Sequence, residues 1–310
     1  MDGTRKVAII TRTKNRRILL WRALDSVCKQ SFRDFVWVIV NDAGEKECVD
    51  TVAAEAEKRG VEVKVLHRER STGMEAASNA GIRSCDSKYI VIHDDDDSWE
   101  PDFLQKTVAF LENEPIFAGV ITHTLLVNEV IENDTVRTTS SYNYKPWLKS
   151  IYLMEMLMVN CFPPIAFLYK REIYDRIGGY DESLPVLGDW DFNIRFLMKA
   201  DIGVIPEMLA RYHHRDTITD AGNVYGNTVN AGISQHIRYD AILRNHYLRT
   251  SPQDLGVLAN LAAMGNWQNS RIDQISTRNI VRGANSALTY LKNRSWFARL
   301  IKKLRSAGEK

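Results

Sequence analysis

Four consecutive aspartates, Asp94 to Asp97, follow the apolar run at 89–92 in the stretch YIVIHDDDDSWEPDF. Neighbouring carboxylates repel one another, so a buried strand ending in such a run must deliver them either to solvent or to a cation. Two carboxylates spaced as Asp94-x-Asp96 can approach one hard divalent ion directly or through water, and that ion in turn neutralises phosphate oxygens. The competing reading is a solvated turn whose acids suit the dipole of the helix that follows in EPDFLQK. Its place after a buried strand, in a repeating strand–helix series, favours the cation.

That series sets the position of the aspartates. VAIIT (7–11) reads as a buried strand, RRILLWRALDSVCKQ as an amphipathic helix and VWVIV (36–40) as a second buried strand. The helix KECVDTVAAEAEKR stops at Gly60; then come strand VEVKVLH, helix GMEAASNAGIRS, strand YIVIH, and helix PDFLQKTVAFLEN with Pro101 in its first turn. Continuous apolar strands alternating with helices predict a parallel sheet covered on both faces. Ligands of such sheets bind at the carboxyl ends of the strands. Three polar clusters, Thr11 to Asn15, Asn41 with Asp42, and the aspartates, should therefore meet at one edge, where a nucleotide would lie. After about residue 118 the alternation loosens: AGVITHTLLVNEVI reads as a strand or hairpin, TTSSYNYKP as a polar loop and PWLKSIYLMEMLMV as a helix.

Composition narrows the class. The chain has 310 residues, 45% hydrophobic and 26% charged, with a formal net charge of +2, which gives no global argument for nucleic-acid binding. Cys28, Cys48, Cys85 and Cys161 are scattered without zinc-like or paired spacing, which fits a reducing cytoplasm. FVWVIV and IYLMEMLMV fall far short of the roughly 20 apolar residues that a membrane span needs.

Taken in order, these motifs resemble the family 2 glycosyltransferases of the GT-A fold. That family's PTYNR is TRTKNR here; SVLAQTY.DFEIIVVDDGS is SVCKQSFRDFVWVIVNDAG; G...ARN.G is GMEAASNAG; LDSDD..P is HDDDDSWEP; FRREV...GGFDE is YKREIYDRIGGYDE; and EDWDL..R is GDWDFNIR. The resemblance covers about residues 6–215. It implies an α/β GT-A domain over 1–215, a Rossmann-like nucleotide-binding sheet with a mixed acceptor half, followed by a mainly helical extension over 216–310.

Carried onto this sequence, the resemblance implies that Thr11, Arg12 and Asn15 line the nucleoside pocket, chiefly through backbone atoms, and that Asp42 hydrogen-bonds the base. Asp94, Asp95 and Asp96 would form the donor-binding turn, with Asp94 and Asp96 as the metal-binding pair for Mn²⁺ or Mg²⁺. Asp189 would be the catalytic base, although an aspartate at the start of a helix is also a plain N-cap. His213 and His214 stand where many such enzymes place a metal or diphosphate contact; a surface histidine pair is the alternative. Gly178, Gly179 and Asp181 would make the acceptor-side turn, and Trp147 and Trp190 would either stack on sugars or belong to the core. Three positions depart from the pattern: Arg12 replaces its proline, Asn41 its first aspartate and Gly188 the glutamate before the base.

The implied activity is inverting, metal-dependent sugar transfer from a nucleotide-diphosphate donor, a UDP-sugar by preference, to a glycan or lipid-linked saccharide in surface polysaccharide synthesis. A sugar nucleotidyltransferase would need a glycine-rich phosphate loop after the first strand, and TRTKNRR has no glycine. A non-catalytic glycan- or metal-binding module is the other rival, and retention of the Asp94/Asp96 pair together with Asp189 argues against it. The C-terminal NRSWFARLIKKLRSAGEK sets Trp296, Phe297, Leu300, Ile301 and Leu304 beside basic residues. That pattern suits either a helix at an anionic membrane surface, on the inner face, or one packed on the main domain.

Overall fold

The computed structural model describes residues 4–215, 225–226, 233–250 and 263. The chain divides into two compact units, Met1–Ala259 and Asn260–Lys310. The basic C-terminal stretch lies outside the described residues.

The first half follows the predicted rhythm: β1 (Arg5–Thr13), α1 (Arg17–Cys28), β2 (Phe35–Asn41), α2 (Lys46–Lys58), β3 (Glu62–His67), α3 (Met74–Arg83) and β4 (Ser87–Ile92). Then come the short β5 (Ser98–Trp99), α4 (Phe103–Asn113), β6 (Phe117–Glu132), β7 (Thr135–Tyr144), α5 (Leu153–Met158), a 3-10 turn, β8 (Phe167–Lys170), α6 (Arg171–Ile177), α7 (Gly188–Leu197), β9 (Asp201–His214) and α8 (Ile233–Thr250). One mixed sheet runs β3-β2-β1-β4-β8-β6-β9-β5, with β7 added on β6.

β1 to β4 are mutually parallel, and all seven residues of β2 are buried, as expected for strands covered on both faces. The register sets Thr13 opposite Asn41 and Ile10 opposite Ile92, so the carboxyl ends of β1, β2 and β4 lie side by side. β8 turns antiparallel against β4 and β6, and β9 runs parallel to β6, which makes the second half of the sheet mixed. α3 lies close on the sheet because Gly81 carries no side chain: a β-carbon there would stand 2.7 Å from Ile10 and 2.9 Å from Val40.

Two local expectations change. The polar stretch TTSSYNYKP, read as a loop, is largely strand β7, pairing with β6 from Glu132–Thr135 to Thr124–Tyr144. An exposed edge strand needs backbone partners but no apolar face, so hydropathy gives little sign of it. The helix expected over 146–159 shrinks to α5, and its apolar leaders Trp147 and Tyr152 are exposed. No helix of the described residues is long and apolar enough to cross a membrane.

Candidate active site

β4 ends at Ile92, and the chain turns at once through Asp94–Asp97, closed by the Asp97 N–H donating to the Asp94 carbonyl at 3.2 Å. His93 anchors the turn from inside, with one ring nitrogen 2.9 Å from the Asp94 carbonyl and the other 3.1 Å from Ser26 Oγ. The four carboxylates then divide by accessibility. Asp94 and Asp96 keep 23% and 11% of their side chains open, against 3% for Asp95, so the i and i+2 pair is the more accessible one. Asp97 is buried, and its carboxylate accepts the His213 N–H at 2.8 Å.

Arginines surround this turn. Arg12 at the end of β1 donates Nε to Asp94 Oδ1 at 2.8 Å and Nη1 to Ser78 Oγ at 3.0 Å. Arg16 Nη1 lies 3.1 Å from Asp95 and 3.4 Å from Asp96. Arg215, fully buried, contacts Asp96 and donates to Glu129 Oε1 at 2.7 Å. Burial would raise the carboxyl of Asp96, yet Arg215 and Arg16 hold it below the usual range. Burial pushes Asp95 and Asp97 up, and the charge of Asp96 adds to the effect.

Glu129, buried in β6, was not foreseen. It accepts from Arg22 at 3.0 Å through each oxygen, from Arg215, and from His213 Nδ1 at 3.0 Å. Burial opposes ionisation, but His213 and Arg22 hold its carboxyl at about 2. The clue in the sequence is a single acid inside the apolar strand LLVNEVI. His213 is thereby engaged on both ring nitrogens, the second lying 3.0 Å from Ser98 Oγ, while His214 packs edge-on to Tyr212 at 4.2 Å.

The residues expected beside the nucleoside are tied into the scaffold. Thr11 is fully buried, its hydroxyl accepting from Trp37 Nε1 at 2.8 Å and its backbone in register with Ile39 of β2. Asn15, with φ of 56°, accepts the Glu45 N–H at 2.8 Å, and Asn41 accepts that of Gly44 at 2.9 Å, so both amides shape the loop after β2. Asp42 pairs with Arg68 and accepts from Ser71 Oγ at 2.6 Å. A cleft of about 460 Å³ opens between α1 and α2 beside Asn15 and Arg16; the aspartates do not line it.

Asp189 lies in the first turn of α7 with Leu187, at φ 66°, in the N-cap position, so it is not the cap. Its Oδ2 accepts from Asn160 Nδ2 at 2.7 Å, and Asn160 Oδ1 accepts from Asn193 at 3.1 Å. Burial raises the Asp189 carboxyl, partly offset by the Trp190 N–H, by Asn160 and by Arg12. Trp190 belongs to the core: its indole donates to the Met156 carbonyl at 2.6 Å and Arg244 of α8 covers the ring at 4.8 Å.

α3 joins the two halves. Asn79 Oδ1 accepts from Tyr174 Oη at 2.8 Å and from the Tyr180 N–H at 3.0 Å, and its Nδ2 donates to the Tyr180 carbonyl at 2.8 Å. That pins the Gly178–Gly179 turn, where Gly179 at φ 77° has no room for a β-carbon beside Asn79 and Tyr174. One turn earlier, buried Glu75 lies close enough to Arg12, Asp189 and Asp94 to feel their charges.

Asp94 and Asp96 offer hard oxygen donors of the kind Mn²⁺ or Mg²⁺ takes, here shared with Arg12 on Asp94 and with Arg16 and Arg215 on Asp96. Among the described residues no three His, Cys, Asp or Glu side chains form a complete metal cage, so an ion held here would complete its shell with phosphate oxygens and water, as Mg²⁺ commonly does.

Residues 8–178 match the model of the family described as Glycosyl transferase family 2. The matched segment includes the aspartate turn and ends before Asp189. An uncharacterized glycosyltransferase of Bacillus subtilis, YwdF, is 26% identical over 80% of this chain and 86% of its own. A PGL/p-HBAD biosynthesis glycosyltransferase of Mycobacterium bovis is 27% identical over 67% and 73%. Among solved structures, the mannosyltransferase PcManGT of Pyrobaculum calidifontis, in complex with GDP-Man and Mn²⁺, superposes with a TM-score of 0.59 at 17% identity, covering 95% of this chain and 84% of that one. S. aureus TarS 1-349 in complex with UDP-GlcNAc gives 0.57 at 17% identity, over 83% and 70%. At these identities the structures establish a shared GT-A fold.

Proposed function

The chain belongs to glycosyl transferase family 2, and we propose that it moves a sugar from a nucleotide-diphosphate donor to an acceptor hydroxyl with inversion at the anomeric carbon. The observation that carries this reading is the meeting of Asp189 with the aspartate turn: Arg12 bonds to Asp94 and also draws down the carboxyl of Asp189. An anchor for the diphosphate and a proton acceptor thus share one short stretch of the sheet edge.

Asp94 and Asp96 would hold Mn²⁺ or Mg²⁺, which when bound offsets charge on the leaving diphosphate. The β1 and β2 ends, with Asn15 and Asp42, receive the nucleoside. Asp189, fixed by Asn160, takes the proton from the acceptor hydroxyl as its oxygen attacks the anomeric carbon, and its upward-shifted carboxyl makes it a better base than an exposed aspartate. A single displacement inverts the centre. The family motifs support a UDP-sugar donor and a glycan or lipid-linked acceptor in surface polysaccharide synthesis, and the basic, apolar pattern of residues 292–310 suits attachment at the inner membrane face.

The test is a panel of nucleotide sugars, including UDP-GlcNAc and GDP-mannose, scored for release of nucleoside diphosphate with Mn²⁺, with Mg²⁺ and with excess chelator. Metal-stimulated release from one donor is expected. Release that is undiminished in chelator would remove the metal from this account, and no release from any donor, with or without glycan acceptors, would overturn the function.

A further inference from the structure

Gly188 opens α7 immediately before Asp189 and is buried, yet its φ is not among the left-handed values, so the backbone does not demand glycine there. Space does. A β-carbon at 188 would stand 2.2 Å from Glu75 Oε1, 2.3 Å from its Cγ and 2.5 Å from its Cδ. The carboxyl of Glu75, reaching across from α3, fills the volume that a side chain at 188 would take. In the family pattern EDWDL that side chain is itself a glutamate, so the acid arrives here from another element. Arg12 shows a parallel exchange: the pattern ARN.G has arginine at the position of Ser78, and here Ser78 Oγ accepts from Arg12, which occupies the pattern's proline.

The ordinary explanation for Glu75 is an acid in the first turn of a helix, favoured by the dipole. Such an acid gains nothing from leaving water. Glu75 is 4% exposed, and its Oε2 is buried without a hydrogen-bond partner. It is also set beside another acid, Asp189, and burial together with that neighbour pushes its carboxyl up to about 7 against the pull of Arg12. With one oxygen near its own backbone N–H and Oε2 left without a partner, next to the proposed base and to the arginine of the diphosphate anchor, this carboxyl costs stability unless a ligand completes it.

We propose that Glu75 is a specificity-determining residue that hydrogen-bonds a hydroxyl of the donor's sugar ring, between the diphosphate anchor and Asp189, and that Gly188 is kept small to admit it. The inference rests on the glycosyltransfer reading and names a contact within it. A carboxyl facing a sugar ring discriminates by which hydroxyl is present, since a donor lacking that hydroxyl leaves the acid unpaired.

The experiment uses the full chain and measures, by calorimetry with Mn²⁺, the affinities of UDP, GDP, UDP-GlcNAc and GDP-mannose for wild type, Glu75→Gln, Glu75→Ala and Glu75→Ala/Gly188→Glu. For the nucleotide that binds, Glu75→Ala is expected to leave diphosphate affinity within twofold and to weaken the matching nucleotide sugar at least tenfold. Glu75→Gln, which keeps the shape, should melt no lower than wild type, and the double variant should recover most of the lost sugar affinity by returning the acid from 188. Equal losses for the diphosphate and the nucleotide sugar, or no loss for either, would overturn the role of Glu75 while leaving glycosyl transfer standing. Wild type that binds none of the four would overturn both.

Discussion

Arg12 Nε donates to Asp94 Oδ1 at 2.8 Å, so the first residue of the aspartate turn carries a counter-charge from the strand next to it. The same guanidinium reaches Ser78 at 3.0 Å, which fixes its plane. Arg12→Lys keeps the charge but cannot make both bonds in one geometry. Sugar transfer, followed as kcat/KM, is expected to fall by about 10²-fold, a loss typical of removing one preorganised donor. Lysine that supports wild-type rates would show that charge alone suffices there.

Asp96→Ala exposes the cost of the buried pair. Arg215 is fully buried and would keep Glu129 but lose its second carboxylate. Breaking a buried ion pair costs about 3–5 kcal/mol, and the remaining partner should hold the loss toward the lower end. Denaturant unfolding checks this: the variant should fold with a clearly lower midpoint, and unchanged stability would contradict the pairing. Asp94→Ala, whose partner Arg12 retains Ser78, should destabilise less.

Asn160 tunes the proposed base. Its Nδ2 donates to Asp189 at 2.7 Å and favours the ionised form. Asn160→Ala removes that preference, so the Asp189 carboxyl rises further and the acidic limb of the pH–rate profile should move to higher pH. A profile that drops in height without moving would mean that Asn160 only supports the loop.

Much of this was legible beforehand because it is a matter of pattern. Apolar strands with helices between them fix β1 to β4 and so the shared edge of Thr11, Asp42 and the aspartates. The i, i+2 spacing of Asp94 and Asp96 was readable, but that they are the more open of the four depends on the turn closed between Asp94 and Asp97, which spacing alone does not give. What stayed hidden depends on distant pairing. Glu129 and Arg215 are far apart in sequence and meet because β6 and β9 lie side by side. Glu75 looks like an ordinary helix-start acid until Gly188 is seen to make room for it. Trp190 could not be assigned to sugar or core without knowing that α8 supplies Arg244 to cover it.

Glu75 also predicts a pH signature of stability. Its carboxyl lies at about 7 in the folded protein, against an ordinary 4.5. Below about 4.5 both states hold the proton; between about 4.5 and 7 the unfolded chain releases it while the folded protein retains it, so stability falls as pH rises, by at most about 3 kcal/mol. Buried His93, held at about 4, acts oppositely: the unfolded chain binds its proton first, so stability rises with pH across the overlapping range. Asp95, Asp97 and Asp189, also raised by burial, add falling contributions of their own, so the raw curve mixes several groups. The readable quantity is Glu75→Gln minus wild type, which should grow from pH 4.5 to 7 and then level off; a flat difference would contradict a buried protonated Glu75.

Single displacement with Asp189 as the base is tested by the configuration of the first product. A donor with an axial anomeric phosphate, found by the nucleotide-sugar panel, is followed by proton NMR from the first minutes of reaction with its acceptor, for wild type and for Asp189→Asn. Single displacement gives an equatorial glycoside from wild type, seen in the one-bond coupling of the anomeric proton to its carbon, and turnover should fall by several orders of magnitude in the variant with donor binding retained. An axial product, or an Asp189→Asn variant that turns over near the wild-type rate, would contradict single displacement with Asp189 as the base.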